Sequence, residues 1–287
     1  MNIAVNLNKS RSATSQDAVT AVKRIFKVKK AGHAGTLDPL ATGVLLVCLN
    51  EGTKITGFLA DLDKEYVMTG KLGESTDTYD AEGTVTTREE EVTVTRASLE
   101  EALGKYVGDI EQVPPMYSAI KREGKALYEL ARQGIEVERK PRSVTIGSIE
   151  LLDFELPYFT VRVVCSKGTY LRSLCNDVGE DLGVGAYVTG LVRTRIGGFT
   201  LENAATLDEL PHKASALYSL DAALAHLPEV RVEGEDLRKM KNGHPLRTGS
   251  GAPSFSGPVR LKDGSGKLFG IGKQRKDILK MERLLHL

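Results

Sequence analysis

The sequence predicts a mixed α/β (α+β) fold on a large, mainly antiparallel β-sheet, followed by a small β-rich domain. Segments with a two-residue apolar period and segments with a helical period follow one another irregularly, without the regular strand–helix alternation of a parallel sheet. After residue 227 the composition changes, with many glycines, an excess of basic residues and five short predicted elements. We therefore predict two domains, residues 1–227 and residues 228–287.

The first part of the chain predicts a helix, two strands and a turn-rich loop. In residues 15–26, apolar side chains recur at helical spacing, and Ser15 is a suitable N-cap. Residues 43–49 form a continuous apolar run with β-branched members, which is typical of a central strand buried on both faces. Residues 64–73 predict a further strand, and the polar residues 77–85 predict a loop.

The second part predicts three helices and two strands. Helical patterns cover residues 98–106 and 124–133. Residues 158–168 alternate apolar and polar side chains, as in a half-buried strand, and residues 169–183 then change to a helical period. Residues 186–199 return to a strand pattern.

Basic residues are concentrated near both ends of a chain whose net charge is only +1. Residues 1–35 contain seven Lys or Arg and one acidic residue, and residues 238–283 contain twelve and three. Residues 88–111 reverse this balance, with seven acidic and three basic residues. Such blocks indicate basic faces that suit a nucleic-acid partner, although a solvated charged surface explains them equally well. Within the small domain, residues 247–257 predict a loop.

The composition predicts a cytoplasmic protein with a sizeable hydrophobic core. The chain has 287 residues, 41% of them hydrophobic and 27% charged. Cys48, Cys165 and Cys175 each lie in an apolar run without paired spacing, so we expect buried thiols rather than disulfides or a metal site. The apolar run at 44–49 is too short to span a bilayer, and the N-terminal residues lack a secretion signal.

One acidic residue, Asp38, lies in a tight turn directly before the predicted buried strand. Nearby glycines permit the turn, and Pro39 fixes the backbone after the aspartate. Asp-Pro is a common turn pair, so a purely structural role stays open. However, His33 and Thr36 lie close by, and a rigid strand is a good platform for a positioned carboxylate. The segment lacks the lysine and spacing of a phosphate-binding loop, and the histidines offer no metal-ligand pair.

Four long segments resemble, in order and spacing, the motifs of the TruB family of bacterial tRNA pseudouridine synthases. They are "GHAGTLDPLATGVLLVCLNEGTKI", "KEYVMTGKLGESTDTYDAEG", "PPMYSAIKREGKALYELARQG" and "CSKGTYLRSLCNDVGEDLGVGAYVTGLVRTRIGGF". The resemblance is close over residues 8–199 and looser up to about 227. It returns in "KNGHPLR" and "KLFGIG", which are similar to the family's small PUA-like RNA-binding domain.

This resemblance implies a pseudouridine synthase fold and a cofactor-free isomerase. The family converts uridine 55 in the T-arm loop of tRNA to pseudouridine, exchanging a C–N glycosidic bond for a C–C bond after flipping the base out. The implied partner is the T-arm stem-loop of tRNA. We expect neither a membrane nor a protein partner, no metal, and a monomeric enzyme.

The resemblance also assigns roles to individual residues. Asp38 matches the family's nucleophilic aspartate, and Arg172 matches the arginine that pairs with it. Tyr66 matches the tyrosine that stacks on the target base and is available as a base toward the sugar. His33 matches a histidine at the flipped nucleotide. Two further positions match residues that line the uracil pocket, namely Tyr170 and Leu191. Attack at C1′ and a glycal route are both compatible with this set.

The N-terminal turn departs from the family pattern. The family opens with Lys-Pro-x-Gly, whereas Ser10 and Ser12 replace the proline and the glycine here and Lys9 is retained. This change concerns the rigidity of the turn and possible RNA contacts. Phosphate contacts are expected from six basic residues, namely Lys9, Arg11, Lys29, Lys30, Lys121 and Arg122.

Two other functions are compatible with parts of the sequence. An RNA-binding protein without catalysis would keep the basic residues but has no need for the combination of Asp38, Tyr66 and Arg172. A related pseudouridine synthase directed to another RNA would be expected to have a C-terminal domain larger than residues 228–287. The short domain therefore favours an enzyme that acts alone on tRNA.

Overall fold

A computed structural model describes residues 1–122, 124–247, 255 and 257–287. Its strands are β1 (Ile3–Lys9), β2 (Ala31–His33), β3 (Thr42–Leu49), β4 (Lys64–Leu72), β5 (Glu74–Thr76), β6 (Val85–Arg88), β7 (Gly108–Gln112), β8 (Lys121–Arg122), β9 (Lys125–Ala126), β10 (Arg142–Glu155), β11 (Tyr158–Cys165), β12 (Ala186–Ile196), β13 (Phe199–Thr200), β14 (Leu217–Ser219), β15 (Glu229–Arg231), β16 (Leu246–Arg247), β17 (Pro258–Lys262), β18 (Leu268–Arg275) and β19 (Ile278–Leu284). Its α-helices are α1 (Ser15–Ile25), α2 (Thr56–Ala60), α3 (Arg96–Gly104), α4 (Leu127–Ala131), α5 (Leu171–Asp181), α6 (Leu220–Ala223) and α7 (Gly234–Lys241), with short 3₁₀ helices at Asn50–Lys54 and Ala214–Ala216.

The large sheet is mainly antiparallel, as predicted. Its path runs β14-β1-β3-β12-β4-β11-β10-β7, with β2 beside β3 and β13 beside β12. The pair β12 and β3 is parallel, and the other pairings along this path are antiparallel. Because β3, β12 and β4 are central neighbours, residues from distant parts of the sequence meet in the middle of the sheet.

Around β3 both faces of the sheet are covered, whereas toward β10 one face is largely exposed. Strand β3 is buried along nearly its whole length, as its continuous apolar run predicts. Its side chains divide between two apolar clusters, with Leu45 and Val47 on one side and Val44 and Leu46 on the other. Strand β11 alternates buried and half-buried residues, which confirms the half-buried strand. The three cysteines are buried and unpaired, as expected.

The prediction that Ser15 caps α1 is wrong. The N-cap is Thr14, whose side chain accepts from the backbone N–H of Asp17 while the Asp17 carboxylate accepts from the backbone N–H of Thr14. Ser15 is the first helical residue and is buried. Its hydroxyl instead accepts from the N–H of Leu37 at 2.8 Å and donates to the carbonyl of Leu37 at 2.9 Å. This serine therefore ties α1 to the turn that carries Asp38.

Other predicted elements are confirmed with shifted ends. Helix α3 begins two residues earlier than predicted, after a capping box at Thr95. The helix predicted for 124–133 is limited to Leu127–Ala131, because the preceding residues pair as β8 and β9. The predicted loop at 77–85 consists mainly of turns up to the start of β6 at Val85, with one isolated bridge between Asp80 and Val188 of β12.

A second sheet of order β15-β17-β18-β19-β16 follows the large one. It has an apolar cluster of its own that includes Met240 and Phe269. Leu268 and Ile271 of β18 belong to a second cluster, which also contains Leu59 of α2. The β-rich C-terminal domain is thus present, while its proposed boundaries, 1–227 and 228–287, stay a prediction. Of the loop predicted at 247–257, residues 248–254 and 256 lie outside the described residues. Within the described chain, none of the helices is long and apolar enough to cross a membrane.

Candidate active site

The turn that carries Asp38 connects β2 to β3 and is fixed from several directions. The Ser15 hydroxyl bonds both backbone groups of Leu37, and the carbonyl of Pro39 accepts from the N–H of Ser12 at 2.9 Å. The N–H of Ala41 closes the turn onto the carbonyl of Asp38 at 3.1 Å. The Asp38 side chain nevertheless keeps 34% of its surface exposed. The turn thus holds an accessible carboxylate on a rigid backbone.

Arg172 joins this carboxylate to two other parts of the chain, the turn at Thr78 and Asp80 and the segment at Tyr117. It lies in the first turn of α5 and is buried, and its Nε donates to Oδ2 of Asp38 at 2.9 Å. Its two terminal nitrogens donate to the carbonyls of Thr78, at 3.0 Å, and Tyr117, at 2.8 Å. The carboxylate of Asp80 lies 3.4 Å from Nη1. A charge-assisted hydrogen bond from a guanidinium so constrained fixes the orientation of the Asp38 carboxylate.

Tyr66 is provided by β4, in the middle of the sheet. It is 8% exposed, and its cross-strand neighbours are Val163 on β11 and Arg193 on β12. Burial raises the pKa of the Tyr66 hydroxyl, and the negative charge of Asp38 acts in the same direction, while Arg193 opposes both. The hydroxyl is therefore neutral at physiological pH and lies within electrostatic reach of Asp38.

The three other predicted site residues, His33, Tyr170 and Leu191, are not hydrogen-bonded to Asp38 in the described chain. His33 ends β2 and is half-buried, and burial together with the charge of Arg193 lowers its pKa, which favours a neutral imidazole. Tyr170 precedes α5, and the side-chain amide of Gln112 bonds its backbone N–H at 2.8 Å and its carbonyl at 3.0 Å. Leu191 on β12 is 7% exposed and lies opposite Met68.

Sequence reasoning missed three residues that shape the site, namely Asp80, Gln112 and Arg193. Asp80 is buried and faces Arg172, although it lies in a segment predicted only as a loop. Gln112 is a buried amide at the end of β7, and Arg193 is a buried charge within a strand. A charged or amide side chain at an inward position of a strand pattern is the signal that could have identified the last two.

Lys9 does not have the role predicted for it. It is 2% exposed, and its ammonium group donates to the carbonyls of Ser10, Ala13 and Pro39 at 2.9, 2.7 and 3.4 Å. Burial lowers its pKa to about 8, partly offset by the charge of Asp38. Lys9 therefore stabilises the turn through the Pro39 carbonyl, and its ammonium group is not free to contact phosphate. The side chains of Arg11, Lys29, Lys30 and Lys121 are exposed, and that of Arg122 lies outside the description.

Solved structures of other proteins share the overall fold of this chain. One, of an H/ACA ribonucleoprotein bound to a substrate RNA containing 2′-deoxyuridine, is 24% identical with a TM-score of 0.73 and covers 99% of this chain and 85% of its own. Another, a Cbf5–Nop10–Gar1 complex, is 25% identical with a TM-score of 0.75 over 98% of this chain and 84% of its own. Together with the family model described next, these matches identify the pseudouridine synthase fold.

Sequence comparisons narrow this class to one family. Residues 23–171 match the N-terminal domain of the TruB family of pseudouridylate synthases, and residues 172–227 match the tRNA pseudouridylate synthase B C-terminal domain. A tRNA pseudouridine synthase B from Dechloromonas aromatica is 46% identical over 93% of this chain and 89% of its own, and one from an Azoarcus species is 44% identical over 97% and 93%. The chain belongs to the TruB family and is a pseudouridine synthase that acts on tRNA.

Proposed function

We propose that the protein converts uridine 55 in the T-arm loop of tRNA to pseudouridine, acting alone, as a cytoplasmic monomer. Family membership supports tRNA as the substrate. The observation that carries the chemistry is the partly exposed Asp38 carboxylate, held at 2.9 Å by a buried arginine on a fixed turn. The reaction is an isomerisation, so it needs a positioned reactive group and a closed pocket rather than a consumed co-substrate.

Asp38 is the group that reacts with the sugar. It either attacks C1′ and displaces uracil, or removes the C2′ proton as the C–N bond breaks to give a glycal. In the first route, C5 of the turned uracil attacks C1′ and displaces the Asp38 carboxylate. In the glycal route, C5 bonds to C1′ and Asp38 returns the proton to C2′. In both routes N1 takes up a proton and the hydrogen at C5 is finally lost to solvent. Arg172 keeps the carboxylate oriented toward the sugar by donating to Oδ2 and not to both oxygens at once.

The other residues bind the flipped nucleotide. The Tyr66 ring stacks on the base, and its neutral hydroxyl is available to carry a proton. His33 occupies the gap that the flipped base leaves in the RNA. Tyr170, fixed by Gln112, and Leu191 line the uracil pocket and keep the detached base from leaving. Flipping costs a few kcal/mol, which contacts from exposed basic residues such as Arg11 and Lys29 offset.

A test on isolated components separates this function from its alternatives. Protein alone is incubated with a T-arm stem-loop containing 5-tritiated uridine, and released tritium is counted. The matched control is the same stem-loop with cytidine at position 55. Release only from the first RNA is the expected result. Release from both RNAs would contradict the assigned position, and tight binding without release would favour a non-catalytic RNA-binding protein. No binding and no release would favour a different RNA substrate.

A further inference from the structure

Arg193 is a fully buried arginine in the centre of the large sheet. It is 1% exposed and is among the largest of the fully buried side chains. On one side β12 pairs it with Gly43 of β3, and on the other with Tyr66 of β4. The approach to β3 is so close that a Cβ on Gly43 would lie 2.3 Å from the Arg193 carbonyl oxygen. A permanent positive charge is therefore buried where strands β3 and β12 are in close contact.

No carboxylate neutralises this charge at salt-bridge distance among the described residues. The guanidinium instead donates to three backbone carbonyls, those of Val44 at 2.7 Å, Thr36 at 3.2 Å and Gly35 at 3.3 Å. Its fourth contact is the hydroxyl oxygen of Tyr66, 3.5 Å from Nη1. Buried charges are normally paired with an opposite charge, because their desolvation is costly. A buried arginine held only by neutral groups therefore needs an explanation beyond packing.

The four contacts connect the two sides of the active site. Gly35 and Thr36 belong to the turn that ends in Asp38, and Tyr66 belongs to the neighbouring strand β4. The carbon of the guanidinium lies 6.0 Å from the centre of the Tyr66 ring. Because Nη1 donates to the phenol oxygen, the hydroxyl hydrogen must point away from Arg193. One side chain thus fixes both the path of the catalytic turn and the direction of the Tyr66 hydroxyl.

We propose that Arg193 is a positioning residue for the isomerisation, which sets the orientation of the Tyr66 hydroxyl relative to Asp38. This inference rests on the proposed function and on the role of Tyr66 within it. Arg193 touches no substrate, since it is enclosed by β3, β4 and β12. Its positive charge also favours transient negative charge on the phenol oxygen, which any proton transfer through Tyr66 would create.

Arg193→Lys keeps the charge but offers a single ammonium group, which cannot reach three carbonyls and a hydroxyl together. Single-turnover rates with saturating stem-loop and dissociation constants for the same RNA are measured for four proteins: the parent, Arg193→Lys, Tyr66→Phe and the double variant. We expect Arg193→Lys to lower the rate by about 10-fold or more in the parent, as for a displaced proton-transfer group, and to leave the dissociation constant within about threefold. In the Tyr66→Phe background, Arg193→Lys should lower the single-turnover rate by less than about threefold, since no hydroxyl remains to be positioned.

Arg195→Lys is the matched control. Arg195 lies on the same strand, is partly exposed, and interacts with Glu65 and the carbonyl of Gly197. It should leave the rate unchanged. Equal rate losses from Arg193→Lys in both backgrounds would overturn the proposal, because the residue would then act through the fold or the turn alone.

Folding is checked by circular dichroism and thermal melting. If Arg193→Lys does not fold, Arg193→Gln is taken through the same cycle, and failure of both variants to fold would also overturn the proposal. Failure of the proposed function itself would look different, since the parent protein would then release no tritium from the stem-loop.

Discussion

At the scale of single residues, the account depends on a carboxylate whose surroundings are fixed before RNA arrives. Asp38 is surrounded by groups that each hold the turn: Ser15 from α1, Lys9 from β1 and Arg193 from β12. Arg172 then orients the carboxylate itself. In the reaction proposed for Asp38, such preorganisation would avoid the reorganisation that a flexible aspartate requires.

Ser12 is the one place in this region where the chain carries evident strain. Its φ is +66°, a left-handed conformation that favours glycine, and its N–H bonds the carbonyl of Pro39. Ser12→Gly should therefore raise the free energy of unfolding by up to about 1 kcal/mol, measured by urea denaturation. Ser10→Gly is the control, because Ser10 is not among the positive-φ residues and glycine there only adds chain entropy to the unfolded state. Stabilisation by both variants would contradict the role of φ at Ser12.

At the scale of elements, β3, β4, β11, β12 and α5 were predictable because their apolar patterns are long and regular, whereas β1, β7 and β10 of the same sheet were not predicted. The register was not, and it is the register that places Arg193 beside Tyr66 and Gly43. Ser15 was mistaken for a cap because its true partner, Leu37, is 22 residues away. Lys9 was mistaken for a phosphate contact for the same reason, since one of its carbonyl partners belongs to a turn 30 residues later. A sequence pattern indicates which residues are buried, but not which distant backbone groups will satisfy them.

Helix α5 positions Arg172 at one end and collects acidic residues at the other. Asp177 is partly buried near Glu180 and Asp181, and no basic residue lies in the last turn to offset them. Burial, with the charges of Glu180 and Asp181, raises the pKa of Asp177 from its ordinary 3.8 to about 6.

This shift predicts how stability depends on pH. Between about pH 4 and 6 the folded state binds a proton that the unfolded state releases, so stability falls as pH rises through this window. Asp177→Asn should therefore melt at a higher temperature than the parent at pH 7.5, with the difference disappearing near pH 4. Asp208→Asn, on the exposed surface, removes the same charge as a control. A melting difference that is the same at both pH values would contradict the assignment.

At the scale of the whole molecule, the second sheet shares one apolar cluster with the first and forms ion pairs with α6. Arg260 and Lys262 of β17 both bind Asp221 of α6 at 2.8 Å. Because Leu268 and Ile271 pack into the cluster of the first sheet, removing the second sheet would expose apolar surface. Its contribution to RNA binding is therefore better tested by charge substitutions than by deletion.

Strands β18 and β19 present a basic surface that suits a phosphate backbone. Lys273 lies directly opposite Lys280, and Arg275 is exposed on the same hairpin. Like charges facing each other destabilise a sheet, so a bound polyanion would compensate for this arrangement. Replacing all three by Gln should weaken tRNA binding and reduce the slope of log affinity against log salt by about 1 to 3, while turnover of saturating stem-loop stays unchanged. Arg96→Gln, in the acidic region, is the control, and an unchanged salt slope in the triple variant would contradict this role.

The most direct test of the central claim is Asp38→Asn. The two side chains have nearly the same shape, and asparagine also suits turns, so the turn before Pro39 should persist. The variant loses the negative charge and the reactive oxygen. We expect folded protein that binds tRNA within about tenfold of the parent, a change of about 1.4 kcal/mol, yet releases no detectable tritium from 5-tritiated uridine in T-arm RNA. Substantial release by this variant would contradict the account and leave Asp38 as a turn-forming residue.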